Sequence, residues 1–211
     1  LITRPEGLTA TALKKNYIAG VDYFNESDMQ TEVSYDGNTR TVRGPQEVDG
    51  YYLHYNLKDS DGNDVNYYDD NVPLLAGTYT VTPYLSASIQ TGSAVAVEMS
   101  ELPITSTTIT AKKFENLKAL PELKEDNWTD AEVKQKGQYY YFTAGEAGTY
   151  TWQIEGVNSN IGVGFYRDGE NEYEASYDYG IRLEAGETCL VHVSALNDGR
   201  FKIVRGAEEK I

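Results

Sequence analysis

Apolar and polar residues alternate with a period of two along most of the chain. The runs are Tyr51-Leu53-Tyr55-Leu57, Tyr79-Val81, Val95-Val97-Met99, Tyr150-Trp152-Ile154, Ile161-Val163-Phe165, Val191-Val193 and Phe201-Ile203. Successive side chains of a strand point to opposite faces, so each run puts one apolar set on one face of an extended segment. Turn signals interrupt the runs at short intervals: Asp36-Gly37-Asn38, Asp61-Gly62-Asn63, Asp168-Gly169 and Asp198-Gly199. Glycine and asparagine at such steps supply the positive φ that tight hairpins need. Short strands punctuated this way predict antiparallel β-sandwiches. Helical composition is confined to Ala111–Leu120. That stretch predicts one or two turns stopped by Pro121, or an extended connector.

The 211 residues suit one large domain or two, since a domain of about 100 residues buries its own core. A five-residue string decides between them. Ala76-Gly77-Thr78-Tyr79-Thr80 returns as Ala147-Gly148-Thr149-Tyr150-Thr151, with different flanks. Two sandwiches are expected, not one duplicated domain. The polar run Thr105-Ser106-Thr107-Thr108 lies between the copies, which places the boundary near residue 108, with domains 1–108 and 109–211. The predicted fold class is all-β, two tandem antiparallel sandwiches.

Composition narrows the partners. The formal net charge is −15. So acidic a surface repels phosphate backbones and anionic lipids, which argues against nucleic acid and membrane surfaces but not against a neutral glycan. No apolar run approaches the length of about 20 residues that spans a bilayer, so no membrane insertion is expected within the segment. The chain begins at Leu1 and carries no signal peptide. It is expected to be a monomeric piece of a larger multidomain protein. Its single cysteine, Cys189, allows neither an intrachain disulfide nor a cysteine metal cage. Alternation with Val191 and Val193 places it in a buried strand. Tyrosine is abundant, 18 against 5 Phe, and its flat apolar ring with a hydroxyl suits both strands and wet binding surfaces.

The first half carries Leu8-Thr9-Ala10, Tyr17, Gly20, Phe24, the stretch from Val33 to Val42 with Tyr35-Asp36-Gly37-Asn38-Thr39, and Gly77-Thr78-Tyr79-Thr80-Val81. This order resembles bacterial immunoglobulin-like domains over roughly residues 1–100. Gly44 to Val72 is longer and richer in Tyr than that family usually shows. The second half carries Asn127-Trp128-Thr129, the stretch from Gly137 to Ala144, Gly148-Thr149-Tyr150-Thr151-Trp152, the stretch from Ile181 to Thr188, and Gly199-Arg200-Phe201-Lys202-Ile203. It is similar to the prepeptidase C-terminal type of bacterial sandwich, jelly-roll-like, over roughly 115–206. The acidic strand entry usual there is replaced by Asn160-Ile161-Gly162-Val163-Gly164, so no calcium or ligand role carries over from it. Both resemblances imply accessory modules of secreted hydrolases, adhesins and polysaccharide-adherence proteins, without an active site of their own.

Chemistry-bearing motifs are sparse. The two histidines, His54 and His192, fall on outward strand positions, and no Gly-x-Ser-x-Gly elbow, His-Glu-x-x-His or phosphate loop occurs. Neither catalysis nor a cofactor is expected. Asp59-Ser60-Asp61-Gly62-Asn63-Asp64 is rich in oxygen ligands, but its glycine comes too early for a calcium loop and it reads as a hairpin turn.

The best binding candidate follows from alternation. With Leu53 and Leu57 inward, Tyr52, His54 and Asn56 point outward; a hairpin partner then offers Asn66 and Tyr68 outward, with Val65 and Tyr67 inward. Aromatic faces beside amide and imidazole groups suit sugar stacking and hydroxyl pairing. Further candidates are Tyr139 and Tyr141, with Thr151 and Gln153 expected on the same face, and Trp128, for which the resemblance implies edge packing as the favoured role. The loop Tyr173 to Tyr179, with Asp178, is another, whereas Trp152 reads as core. The expected function is a non-catalytic, carbohydrate-binding segment of a secreted bacterial cell-surface protein. Its ligand is expected to be a polysaccharide or oligosaccharide, α-glucan or starch favoured. The alternative is a structural spacer or host-adhesion module.

Overall fold

The computed structural model describes residues 4–67, 72–87, 102–134, 137–156, 160–176 and 179–206. Among them the chain is built of strands and turns with no α-helix, and no helix is long and apolar enough to cross a membrane. It divides into two compact units, Leu1–Lys112 and Lys113–Ile211. The division falls later than residue 108 because the polar run there is not a linker. Thr107–Lys112 is a strand whose Ile109 and Ala111 are buried in the first core.

The first unit holds β1 (Gly7–Ala12), β2 (Asn16–Ile18), β3 (Met29–Tyr35), β4 (Asn38–Arg43), β5 (Gln46–Val48), β6 (Tyr51–Lys58), β7 (Gly77–Ala87), β8 (Ile104–Thr105) and β9 (Thr107–Lys112). They form two sheets, in the orders β4-β3-β1-β8 and β2-β9-β7-β6-β5. Pairing is antiparallel except for β8 on β1 and β2 on β9. Leu8, Met29 and Val33 from one sheet and Leu53, Leu57, Val81 and Ile109 from the other share one buried cluster. Two sheets burying one face each against the other make a β-sandwich. Tyr55 lies in the same core, its hydroxyl paired with Thr31 Oγ1 of the facing sheet at 2.8 Å. That pairing removes the penalty of burying either group alone.

The second unit holds β10 (Glu122–Leu123), β11 (Thr129–Ala131), β12 (Gln138–Thr143), β13 (Gly148–Glu155), β14 (Ile161–Asp168), β15 (Tyr173–Ala175), β16 (Ile181–Leu183), β17 (Thr188–Ala195) and β18 (Gly199–Arg205). Its sheets run β10-β12-β17-β14-β15 and β11-β18-β13-β16. Phe142, Tyr150, Phe165, Ile181, Val191 and Phe201 fill the core between them, with Trp152 packed against it. Cys189 is fully buried there, and burial pushes its thiol up to about 12. Ile154 departs from expectation: it continues the Tyr150-Trp152 parity but is exposed. The candidate helical stretch contributes only a 3-10 turn, Leu117–Ala119, capped by the Asn116 side chain accepting from the Lys118 N–H at 3.1 Å.

The repeated string does the same job in both units. Tyr79 donates its hydroxyl to the Leu75 carbonyl at 2.6 Å, and Tyr150 to the Glu146 carbonyl at 2.6 Å. Each is a buried ring at a strand start, tied to the backbone four residues back, the arrangement known as a tyrosine corner.

Candidate functional site

β6 turns Leu53, Tyr55 and Leu57 inward, and Tyr52, His54 and Asn56 to the outer face. Their neighbours come from β7: Tyr52 faces Ser86, His54 faces Tyr84, and Asn56 faces Thr82. The result is a three-ring cluster. His54 lies 4.3 Å from Tyr52 at an interplanar angle of 50°, and stacks on Tyr84 at 5.2 Å and 21°. Tyr52 and Tyr84 remain 38% and 37% exposed. Among the described residues, neither the Tyr52 hydroxyl nor the His54 ring nitrogens have a hydrogen-bond partner. The row from Tyr52 to Asn56 spans roughly 14 Å at the rise of an extended strand.

Tyr84 was not anticipated. Pro83 discourages reading a strand beyond Val81, since proline gives no ladder N–H. Here the β7–β9 ladder stops at the Val81–Thr107 pair, so among the described residues no part of β9 stands opposite Pro83 and its missing N–H breaks no bond of that ladder. The alternation Val81, Pro83, Leu85 inward was the available signal.

The expected hairpin partner of β6 is replaced by something else. Among the described residues of that segment only Asp64 bridges to β6, opposite Lys58, with the Val65 N–H donating to the Leu57 carbonyl at 2.8 Å. Asp59 tightens the preceding turn by accepting from the Asp61 and Asn63 N–H groups at 3.0 and 2.9 Å. That role accounts for the Asp59 carboxylate. Among the described residues no group of three or more His, Cys, Asp or Glu is placed to hold a metal. Val65 and Tyr67 do pack on the first core, but as a returning segment and not as a strand. Asn66 is exposed on that segment, Asn56 donates to Asp64 at 3.4 Å, and Tyr68 lies outside the described residues.

The second patch is split by the topology. β12 and β13 belong to opposite sheets, so Thr151 and Gln153 lie on a different face from Tyr139 and Tyr141. Consecutive strands were expected to be neighbours; from β10 to β14 this sandwich alternates them between its sheets, and β14 and β15 pair as neighbours. Tyr139 is half-buried, stacked on His192 at 4.7 Å and 28°, with the Phe114 ring edge-on at 5.2 Å. Lys113 fixes that segment by an ion pair to Asp168 and a bond to the Gly169 carbonyl at 2.6 Å. Tyr141 is half-buried opposite Leu190, which is fully buried. A Cβ on Gly137 would meet the Val193 carbonyl at 2.5 Å and His192 Nε2 at 2.6 Å. This face is packed, and its tyrosines cover it.

Trp128 keeps 37% of its surface exposed and carries the Lys202 ammonium 4.8 Å from its ring centroid. In the loop after Tyr173, Tyr173 itself is buried and Tyr179 exposed, while 177 and 178 lie outside the described residues. An open depression of about 490 Å³ at one end of the second sandwich is lined by Arg167, Asp168, Glu174, Glu187 and Thr188. Its guanidinium is already engaged, by Glu187 at 3.3 Å and by the Arg182 carbonyl.

The Tyr52–His54–Tyr84 cluster therefore offers accessible aromatic surface, with the Tyr52 hydroxyl and the His54 ring nitrogens without a hydrogen-bond partner among the described residues. Such a set can stack against an apolar face and exchange hydrogen bonds with hydroxyls. No protein-family model, curated protein or solved structure matches the chain.

Proposed function

We propose that the chain is a non-catalytic carbohydrate-binding segment of a secreted bacterial cell-surface protein, holding a neutral polysaccharide, an α-glucan such as starch by preference. The observation that carries this reading is the exposed Tyr52–His54–Tyr84 cluster, in which the Tyr52 hydroxyl and the His54 ring nitrogens have no hydrogen-bond partner among the described residues. A pyranose C–H face stacks on the exposed ring surface while Tyr52 and His54 pair with ring hydroxyls. The net charge of −15 disfavours nucleic acid and does not oppose an uncharged ligand.

The finer fold reading belongs with this proposal. Strands β11 to β18 lie in the orders first-eighth-third-sixth and second-seventh-fourth-fifth, which supports a jelly roll for the second unit. In the first unit, β2 lying parallel to β9 and the tyrosine corner on β7 support an immunoglobulin-like sandwich. The β3–β4 hairpin, kept within one sheet, departs from the immunoglobulin order. Both are module types that recur in multidomain surface proteins.

Affinity electrophoresis in gels containing starch, or other glucans in parallel, tests the reading. Retardation by starch is expected, and loss of it in Tyr52→Ala with Tyr84→Ala. Free migration in every glucan, or full retardation of the double variant, refutes it. The mutual stacking of His54 and Tyr84, which hides part of each ring face, favours the second reading, a spacer or host-adhesion module. That reading predicts free migration throughout.

A further inference from the structure

The second unit presents an aromatic position of different electrostatic character. β11 pairs with β18 in the register Thr129↔Phe201 and Asp130↔Arg200, which sets Trp128, just before β11, beside Lys202. The Lys202 ammonium lies 4.8 Å and the Arg200 guanidinium 5.4 Å from the indole centroid. The two cations are not equivalent. Arg200 is ion-paired with Glu155 at 2.6 Å and stands across from Asp130. Lys202 faces the uncharged Gln153 across its other ladder, and among the described residues no carboxylate pairs with it. In a chain of net charge −15, this ammonium has no carboxylate partner among the described residues and sits beside an indole that stays 37% exposed. Trp128 at the entry to β11, Lys202 on β18 and Gln153 on β13 form a row roughly 10 Å wide at ordinary strand spacing.

We propose that this row binds an acidic polysaccharide. The carboxylate of a hexuronate unit pairs with Lys202, the C–H face of its ring lies on the exposed part of Trp128, and the Gln153 amide meets ring hydroxyls. A single free ammonium matches a ligand carrying one charge per sugar. The repulsion of the remaining acidic surface is screened beyond about 8 Å at physiological ionic strength, so the local contact decides. A neutral sugar would leave the ammonium unused.

Calorimetry and tryptophan fluorescence with hexamers of galacturonate and of mannuronate, and with the methyl-esterified galacturonate hexamer, test the site. At least one acidic hexamer is expected to bind, to shift the tryptophan emission and to weaken with added salt. Esterification or Lys202→Met, which keeps the aliphatic stem over the ring and removes the charge, is expected to weaken binding about tenfold or more. Tyr52→Ala with Tyr84→Ala is expected to leave it unchanged, so this site stands apart from the starch reading. Failure of both acidic hexamers to bind overturns the proposal. So does equal binding of the ester, wild-type affinity in Lys202→Met, or loss of binding in the Tyr52 and Tyr84 variant.

Discussion

A tyrosine hydroxyl buried at the start of a strand must find an acceptor, and in both units it finds the carbonyl four residues back. Tyr79 reaches Leu75 and Tyr150 reaches Glu146, at the same distance of 2.6 Å. Tyr79→Phe and Tyr150→Phe keep the ring and remove the hydroxyl that makes this bond. Each is expected to lower the stability of its own unit by roughly 0.5–1.5 kcal/mol, read from urea denaturation. Tyr179→Phe, on a highly exposed ring, is the control and is expected to change stability by less than about 0.5 kcal/mol. The duplicated string was visible in the sequence, and so was the outward direction of Tyr52 and His54, because strand parity is a local property. The acceptor carbonyls were not, and the third ring, Tyr84, was signalled only by an alternation that runs through Pro83. They depend on how the chain bends before β7 and on which edge Pro83 faces, and neither is encoded within one strand.

At the level of elements, β6 shows why parity does not name a neighbour. Its outer face was legible, yet the expected partner after the Asp59–Asp64 turn supplies one bridge and then leaves. The edge beside Tyr55 is closed by side chains instead. Glu26 accepts from the Tyr55 N–H at 3.4 Å, and the Tyr67 hydroxyl lies within hydrogen-bond reach of both the Tyr55 carbonyl and the Glu26 carboxylate. Residues 41 positions apart in sequence thus satisfy a strand edge that would otherwise be open to another chain. Tyr67→Phe removes the one hydroxyl proton that the Tyr55 carbonyl and the Glu26 carboxylate share. The expected loss is about 1–3 kcal/mol, with faster amide hydrogen exchange in β6 and unchanged exchange in β17. Unaltered protection of β6 would show that the plug contributes nothing to holding the edge.

For the whole molecule, the presence of two sandwiches could be read from the repeated string, but the assignment of strands to sheets could not. The alternating order of the second unit, which separates β12 from β13, arises from long-range pairings that leave no trace in local alternation. The boundary shifted for a related reason: Thr107 and Thr108 are polar by composition but belong to a strand held between β2 and β7. The two buried clusters share no residue. Both tryptophans, Trp128 and Trp152, and the buried Cys189 belong to the second unit, so it carries its own reporters. Leu53 is fully buried in the first core, and Leu53→Ala is expected to destabilise that unit by about 2–5 kcal/mol. In urea the circular dichroism profile should then gain an early transition, while the tryptophan fluorescence midpoint stays where it was. Labelling of Cys189 by a thiol reagent at pH 8 should follow the tryptophan signal. With the thiol pushed up to about 12 in the folded unit, thiolate forms in quantity only on unfolding. If the tryptophan midpoint and the labelling rate move with the first unit's transition, the two sandwiches unfold as one cooperative block and the separation of their cores has no thermodynamic consequence.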